Sequence, residues 1–151
     1  MIRLLVVGKV KESFFREAIL EYQKRLSRYT KLEIIEVADG SFENPELNQA
    51  FEGKLLLKQI QDKEFVISLE IGGKQLDSIG FSKQLDFWLM ESSNLVFVIG
   101  GSDGLSPMVR SRSNYALSFS MMTFPHQLFR ILLLEQIYRA FRISHNESYH
   151  K

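Results

Sequence analysis

Short apolar runs alternate with longer amphipathic segments five times along the chain. The apolar or alternating runs predict five strands, at Ile2–Val7, Leu32–Val37, 65–69, Leu95–Ile99 and 116–120. Between and after them, apolar residues recur at helical spacing, as in the helix predicted to carry Phe14, Phe15, Ala18, Ile19, Tyr22 and Leu26. Five strand–helix units in series predict an α/β fold with a mostly parallel sheet flanked by helices.

Several polar residues and prolines mark where these helices begin. Asn44 before Pro45, and Ser106 before Pro107, are typical pairs of an N-cap and a first-turn residue. Ser78 is predicted to cap the third helix, and Pro125 opens the longest apolar helix. The second helix is predicted to run through Leu47, Phe51, Leu55 and Ile60.

Composition favours a single domain over residues 1–151. The chain has 151 residues, 45% of them hydrophobic, which is enough for a substantial core. The absence of cysteine excludes disulfides, thiolate metal sites and cysteine nucleophiles, and fits a reducing compartment. The apolar start is too short for a signal peptide, and no run is long enough to span a membrane. We therefore expect a cytoplasmic protein without membrane contact.

Charge is distributed unevenly although the net charge is only +1. Residues 1–31 carry 8 Lys/Arg against 3 Asp/Glu, residues 106–151 carry 6 against 2, and residues 32–70 carry 3 against 9. Basic ends that met on one face would form a surface for phosphate groups. Ordinary solvated helix faces explain the same pattern equally well.

Two loops that follow predicted strands have the composition of a ligand site. Gly100, Gly101 and Gly104 let another group approach the backbone closely, although a tight strand–helix turn has the same composition. The spacing is neither a dinucleotide fingerprint nor a P-loop. The next loop sets Ser118, Ser120 and Thr123 among apolar side chains that suit either an aromatic base or core packing. Ligands of open α/β sheets bind at strand ends, which nominates residues 69–74, 100–105 and 119–126.

Arg130 lies in the middle of the apolar face of the last helix. An unpaired buried guanidinium is costly, so Arg130 is predicted to find a carboxylate across a subunit interface, to meet an anionic ligand or RNA phosphate, or to snorkel to solvent. The breadth of this face also favours packing against a second subunit.

The residues at the end of the chain suit contact with an unstacked RNA base. Tyr149, His150 and Lys151 combine an aromatic ring, an imidazole and a cation, although a frayed terminus is an equal alternative. His126 is interpreted as a helix-start residue. Three scattered histidines without cysteine predict no metal site, and no Ser-His-Asp arrangement supports a hydrolase.

Six motifs together resemble the RlmH family of ribosomal RNA methyltransferases in the SPOUT class. They are VFVIGGSDGL at 96–105, SFSMMTFPH at 118–126, LLLEQIYRAF at 132–141, the terminal YHK, VGKVKE at 7–12 and EYQKRLSRY at 21–29. The resemblance covers essentially the whole chain. It implies a carboxyl-terminal trefoil knot, which is rare in proteins, a homodimer, and S-adenosylmethionine as cofactor. It implies cofactor contacts at Leu69, Gly100, Phe119, Ser120, Met121, Met122, Thr123 and Phe124.

The same resemblance implies methylation of N3 of a pseudouridine in helix 69 of 23S rRNA on the ribosome. Because N3 carries a proton in the neutral base, a proton acceptor or hydrogen bonds that stabilise the anion are needed. His150 is the candidate for substrate contact, with Tyr149 stacking and Arg130 or Arg142 reaching phosphates, and the base must leave its stack.

Two alternatives from other classes are a nucleotide-binding oxidoreductase and a non-catalytic RNA-binding dimer. The oxidoreductase lacks its fingerprint after the first strand. The RNA-binding dimer leaves the glycine and Ser/Thr loops without a purpose.

Overall fold

Five strands and five helices alternate along the chain in the computed structural model, which describes all 151 residues. The strands are β1 (Ile2–Val7), β2 (Leu32–Val37), β3 (Phe65–Gln75), β4 (Leu95–Ile99) and β5 (Tyr115–Ser118). The helices are α1 (Ser13–Leu26), α2 (Pro45–Gln59), α3 (Ser78–Glu91), α4 (Pro107–Arg112) and α5 (His126–Ser144). The predicted alternation is confirmed.

All five strands are parallel and form one sheet in the order β2-β1-β4-β3-β5. Helices cover both faces of the sheet, so the central strands β1 and β4 are buried throughout. Burial on both faces explains why these strands are continuous apolar runs. The predicted α/β class with a parallel sheet is confirmed, and the carboxyl ends of β4, β3 and β5 lie side by side.

The sheet divides the core into two layers. Alternate residues of each strand face opposite sides, so Leu4 joins a cluster of 18 buried residues beneath α1, α3 and α5. Leu5 joins a smaller cluster of 9 buried residues beneath α2 and α4. The larger layer contains Trp88, which is 1% exposed and packs against several other aromatic rings.

Strand β3 continues well past residue 69, where the sequence predicted its end. Leu69 and Lys74 both pair with Leu117 of β5, so residues 70–73 form a bulge. At Gly73, a Cβ atom would lie 2.8 Å from backbone atoms of Ala116 and Leu117. Only glycine fits this close approach of two strands. Strand β5 is correspondingly short and ends at Ser118 rather than at residue 120.

Two of the four helix starts are capped as predicted. The side chain of Asn44 accepts from the backbone N–H of Glu46, and that of Ser106 accepts from Val109. The cap of α3 was predicted wrongly: Asp77 accepts from the N–H of Gly80, while the Ser78 hydroxyl donates to Gln136 of α5 at 2.7 Å. Pro125 takes the N-cap position of α5 but provides no side-chain cap.

Helix α5 crosses the larger core layer between α1 and α3. Its fully buried residues include Leu133, Leu134 and Ile137, and the Ser82 hydroxyl of α3 donates to the Ala140 carbonyl at 2.7 Å. Helix α1 packs on the other side, where Tyr22 and Tyr138 make an edge-to-face contact. The chain's own sheet and two helices bury one side of α5, while Leu128, Ile131 and Leu132 stay partly exposed, so packing against a second subunit stays a prediction.

All seven ion pairs of the chain use arginine as the cation. Arg3, which is 6% exposed, is an example: it pairs with Glu33 and Glu64 and also donates to the carbonyl of Gln59. The planar guanidinium reaches several acceptors at once, which suits it to such buried pairs. None of the helices has both the length and the hydropathy needed to cross a membrane.

Candidate functional site: a cavity at the carboxyl edge of the sheet

A cavity of about 1000 Å³ opens where β3, β4 and β5 end. Its walls come from three loops, which span residues 69–72, 99–105 and 117–126, together with side chains from α2, α4 and α5. These are the three loops nominated by the strand-end rule. Because β4, β3 and β5 are neighbours in the sheet, the loops meet at one place.

Seven of the eight expected cofactor residues line this cavity. They are Leu69, Gly100, Phe119, Ser120, Met122, Thr123 and Phe124. Met121 does not line it, and its side chain is 75% exposed. Its neighbour Met122 is almost as exposed, at 73%, but lines the cavity. The structure thus brings together seven of the residues and leaves Met121 outside the cavity wall.

The glycine loop folds back closely on itself at Gly100. A Cβ atom on Gly100 would lie 3.0 Å from the carbonyl carbon of Gly104 and 3.1 Å from the Leu105 side chain. Gly104 has a φ of +79°, in the region that favours glycine. Its N–H donates to the Gly101 carbonyl at 3.1 Å. Backbone, rather than side chains, therefore forms this wall.

The Ser/Thr loop combines internal hydrogen bonds with an aromatic wall. The Ser118 hydroxyl donates to the Ser120 carbonyl at 3.2 Å, and the Ser120 hydroxyl accepts from the N–H of Met122 at 3.0 Å. The rings of Phe119 and Phe124 lie 4.9 and 6.1 Å from that of Phe129, measured between centroids. A rigid turn beside aromatic rings suits a flat heterocycle with polar edges.

Three charged side chains of the cavity wall form no ion pair. Glu70 accepts only from the Ser68 hydroxyl, and Asp103 accepts only from the side-chain amide of Asn48 at 2.9 Å. Arg110 of α4 is exposed, and its guanidinium has no hydrogen-bond or ion-pair partner within the chain. Charges of both signs thus face one cavity without neutralising one another.

Helix α2 supplies polar residues that the sequence did not suggest. Asn48 and Glu52 are 8% and 5% exposed, whereas the apolar Leu47 and Phe51 are 51% and 40% exposed. The Asn48 amide bonds the backbone of Phe42 and the Asp103 carboxylate, and so fastens the β2–α2 connection to the glycine loop. Their i, i+4 spacing in the sequence was the one available signal.

Glu52 sits against the same glycine loop. One carboxylate oxygen accepts from the N–H of Gly40 at 2.8 Å, while the other is buried without a partner. A Cβ atom on Gly101 would lie 3.1 Å from this second oxygen. Burial raises the pKa of Glu52, and the nearby Asp39 and Asp103 carboxylates raise it further.

Arg130 finds its carboxylate within its own chain. It is 1% exposed, and its guanidinium donates to Glu36 of β2 at 2.8 Å and to the Gly8 carbonyl at 3.2 Å. The partner is therefore neither a second subunit nor a ligand, and the side chain does not snorkel. Sequence separation hid this pair, because Glu36 lies 94 residues away. Arg130 joins the start of α5 to the ends of β1 and β2.

The middle of α5 carries a dense polar network centred on Glu135. Its carboxylate accepts from Tyr22 at 2.9 Å, from Tyr149 at 3.0 Å and from Arg139 at 2.6 Å. Burial, followed by the hydrogen bond to Glu135, raises the pKa of Tyr22 to about 12 and also raises that of Tyr149. The tail is therefore folded against α5 rather than frayed.

His150 and Tyr149 lie in this network, away from the cavity. Nδ1 of His150 lies 3.1 Å from Arg139, whose guanidinium also stacks over the Tyr149 ring at 4.6 Å. Arg139 lies thirteen positions after the cavity residue His126 on the same helix, a rise of about 20 Å at 1.5 Å per residue. Within one chain, the expected substrate residues do not meet the expected cofactor residues.

The tail is fixed by a second set of contacts around Glu147. Arg142 donates to Glu147 at 2.6 Å and to the Ser148 carbonyl at 2.9 Å, while the Tyr29 hydroxyl donates to Glu147 at 2.6 Å. The hydrogen bond from Tyr29 lowers the pKa of Glu147, and Arg142 lowers it further. Arg142 is thus engaged within the tail rather than free for a phosphate.

The histidines make no metal centre in this arrangement. His126 lies at the cavity wall and His150 beside Arg139, while His145 follows the end of α5. No group of three His, Cys, Asp or Glu side chains is arranged to hold a metal ion. The expectation of a metal-free protein stays a prediction.

Comparison with known proteins places the chain among methyltransferases. Residues 1–150 match the family model described as predicted SPOUT methyltransferase. The chain is 55% identical to the ribosomal RNA large subunit methyltransferase H of Clostridium tetani (strain Massachusetts / E88). It is 54% identical to the protein of that name in Clostridium botulinum (strain Hall). Each comparison covers 99% of both chains.

A solved structure with the same fold is that of a probable methylase family protein from Haemophilus influenzae Rd KW20. It is 13% identical, with a TM-score of 0.58, over 99% of this chain and 70% of that one. At this identity the likeness concerns the fold alone.

Proposed function

The chain belongs to the SPOUT methyltransferase family, and from this membership we propose that it methylates RNA of the large ribosomal subunit with S-adenosylmethionine as donor. Relatives that are 54 and 55% identical over 99% of their length carry the name ribosomal RNA large subunit methyltransferase. The observation that carries the proposal is the cavity where three strands end. Its volume of about 1000 Å³ suits a nucleoside with an amino acid arm.

The residues of the cavity fit this cofactor. The absence of a side chain at Gly100 leaves backbone groups open to hydrogen bonds, while Phe119 and Phe124 provide apolar contact for a base. When bound, the cofactor supplies a methyl group on a sulfonium. The chain's own residues then have to hold the donor, exclude water and align the acceptor atom, because displacement at the methyl carbon is governed by geometry.

The finer proposal concerns the acceptor, which we take to be N3 of a pseudouridine in helix 69 of 23S rRNA. N3 must lose its proton, so a group close to the base has to accept it or stabilise the anion. His150 is the candidate for this contact, and the Tyr149 ring is the candidate for stacking. Arg139 touches both residues and positions them. The trefoil knot of the family is part of the same proposal.

A homodimer removes the separation of about 20 Å between tail and cavity. If two chains pack so that the tail of one reaches the cavity of the other, His150 and the cofactor meet at a site shared by both subunits. The tail is already ordered by Glu135 and Glu147, which lowers the entropy cost of presenting it to a partner. Arg130 supports the site from within each chain and does not itself touch the base.

The decisive experiment incubates the protein with labelled S-adenosylmethionine and ribosomes from a strain that lacks the modification. We expect one labelled nucleotide in helix 69, with the methyl group on N3. Label on another nucleotide would overturn the finer proposal and keep the coarser one. Absence of label from ribosomes and from free rRNA would overturn both.

Calorimetry separates this proposal from the two other classes. Binding of S-adenosylmethionine without NAD supports methyl transfer, while binding of NAD alone would indicate an oxidoreductase. Binding of neither, together with binding to ribosomes, would favour a non-catalytic RNA-binding dimer.

Mixed dimers test the shared site directly. Gly100→Val distorts the glycine loop, and His150→Ala removes the tail imidazole, so each homodimer should be inactive. Co-expression with two affinity tags yields a mixed dimer that has one intact cavity facing one intact tail. We expect the mixed dimer to recover activity. An inactive mixed dimer would show that cavity and tail act within the same chain. An active His150→Ala homodimer would show that the tail imidazole has no such role.

A further inference from the structure

The cavity wall holds two carboxylates and one guanidinium that no group of the protein neutralises. Glu70 lies in the bulge of β3, Asp103 lies in the glycine loop and Arg110 lies on α4, so three separate elements converge on the cavity. Elsewhere in the chain, arginines are engaged by carboxylates or carbonyls, as Arg3, Arg130 and Arg142 show. Charges left unpaired in a concave site are those that a ligand of complementary charge would satisfy.

The count of these charges matches the proposed methyl donor. S-adenosylmethionine carries two positive groups, the sulfonium and the α-ammonium, and one negative group, the carboxylate. The cavity offers two carboxylates and one guanidinium. After methyl transfer the sulfonium becomes an uncharged thioether, because the departing methyl group leaves its bonding electron pair on sulfur and N3 loses its proton to solvent. The donor therefore carries a net charge of about +1 and the product about zero at neutral pH.

We propose that Glu70 and Asp103 make the cavity prefer the donor, with its charged sulfonium, to the product, whose sulfur is uncharged, while Arg110 binds the carboxylate of the amino acid arm. This inference rests on the proposed function, since it assumes S-adenosylmethionine as donor. The preference follows from Coulomb attraction, which acts on the sulfonium and has no counterpart in the thioether. The cavity then holds the donor before transfer and releases the product after it.

The geometry keeps the two carboxylates ready for this role. Asn48 donates to one oxygen of Asp103, and Gln49 donates to the Asp103 backbone carbonyl, so the glycine loop is held from α2. Ser68 donates to one oxygen of Glu70. Each contact orients the carboxylate through a neutral donor, which leaves its negative charge uncompensated.

Calorimetric titration of S-adenosylmethionine and S-adenosylhomocysteine tests the role of the carboxylates. The double variant Glu70→Gln/Asp103→Asn should weaken donor binding about threefold to tenfold more than product binding, because both ligands carry the α-ammonium and only the donor carries the sulfonium. Glu43→Gln, an exposed carboxylate outside the cavity, is the matched control and should change neither.

Two outcomes would overturn the inference. If donor and product lost affinity equally, the carboxylates would contact a shared part such as the ribose hydroxyls. If the wild-type protein bound both molecules equally well, the cavity would not sense the sulfonium, although the cofactor site itself would stand. A wild-type protein that bound neither would instead contradict the proposed function.

Arg110 is tested with a ligand that lacks the amino acid arm. Arg110→Gln should weaken binding of both S-adenosylmethionine and S-adenosylhomocysteine about tenfold, a loss expected for one charge-assisted contact. It should leave binding of 5′-methylthioadenosine unchanged, because that nucleoside has no carboxylate. An equal loss for all three ligands would show that Arg110 shapes the cavity rather than reading the carboxylate.

Discussion

The cavity and the tail network treat charged side chains in opposite ways. The cavity, beside the amino-terminal end of α5, leaves Glu70, Asp103 and Arg110 without ion-pair partners. In the tail network, Glu135 accepts from donors on α1, α5 and the tail, and Glu147 accepts from Tyr29 and Arg142. The charged groups of the cavity are thus available to a ligand, whereas those of the tail network already have partners within the chain.

Because of this difference, substitutions in the cavity and in the tail network should have different effects. Changes at the cavity should alter binding and leave the fold intact, since few of its side chains hold other elements in place. Changes at the tail network should lower the free energy of unfolding and leave cofactor binding intact, because none of its residues lines the cavity. The tail network joins α1, α5 and the tail, so its loss would weaken the packing of all three.

The largest effect should follow from Gly100→Val. The Cβ atom of the new side chain would lie 3.0 Å from the Gly104 carbonyl carbon, so the glycine loop would have to shift, and we expect S-adenosylmethionine binding to weaken about 100-fold. Calorimetry measures the loss, and circular dichroism checks the fold. Gly72→Ala is the control in the same cavity, because its Cβ would meet nothing within 4 Å. A comparable loss in the control would mean that any added atom in the cavity is harmful.

Glu135→Ala should have the next largest effect, this time on stability. Tyr22, Tyr149 and Arg139 lose their common acceptor, and we expect the free energy of unfolding to fall by about 2 kcal/mol. Urea denaturation measures it. Glu21→Ala, which removes the partner of the exposed Arg25, should cost less than about 0.5 kcal/mol. If cofactor affinity fell together with stability, the tail network would also support the cavity, and the two regions would not be independent.

Tyr22 predicts a smaller effect that depends on pH. Its pKa is about 12 in the folded protein, above the ordinary value of 10.0, so the folded state retains the proton between these values while the unfolded state loses it. The stabilisation is complete below pH 10 and is lost as the pH rises through 12. Allowing for the partial exposure of this side chain, the loss should be about 1 kcal/mol.

Urea denaturation at pH 9 and pH 11.5 measures this dependence. Tyr22→Phe has no hydroxyl to titrate, so the difference in stability between the two pH values should shrink relative to the wild type. An unchanged difference would assign the effect to other groups.

Met121→Ala should have the smallest effect and tests the edge of the cavity. Because the Met121 side chain is 75% exposed and does not line the cavity, its removal should change cofactor affinity less than about twofold. Phe119→Ala, in the same loop, should weaken binding about tenfold because it removes part of the aromatic wall. Equal losses would place Met121 in contact with the ligand.

The order of strands and helices could be predicted from the sequence because each element carries its own pattern. Strands β1, β2 and β4 end where the apolar runs end, and Asn44 and Ser106 cap the helices that they precede. The end of β3 could not be predicted, since Lys74 and Gln75 pair with β5 only beyond a bulge at residues 70–73. That pairing depends on Gly73 meeting a distant backbone, which no local pattern encodes.

The loops of the candidate site could be predicted from the sequence, but the partners of its charged and polar side chains could not. The glycine and Ser/Thr loops are local motifs, and the rule that ligands bind at strand ends locates them. The partner of Arg130 was predicted wrongly because Glu36 lies far away in sequence, on β2. Asn48 and Glu52 were missed because they occupy the buried face of a helix, beside exposed apolar residues. Each error concerns a contact between elements distant in sequence.

Because every ion pair of the chain uses arginine, the lysines contribute to the surface charge but not to the ion pairs that hold the fold together. No lysine ammonium takes part in any of the seven pairs, so reagents that acylate amines would remove positive charge from the surface without breaking one of these bonds. Substitution of lysines can therefore change the isoelectric point without removing an ion pair. Evolution or design can in this way alter the electrostatic attraction of the protein to a polyanion while the fold stays the same.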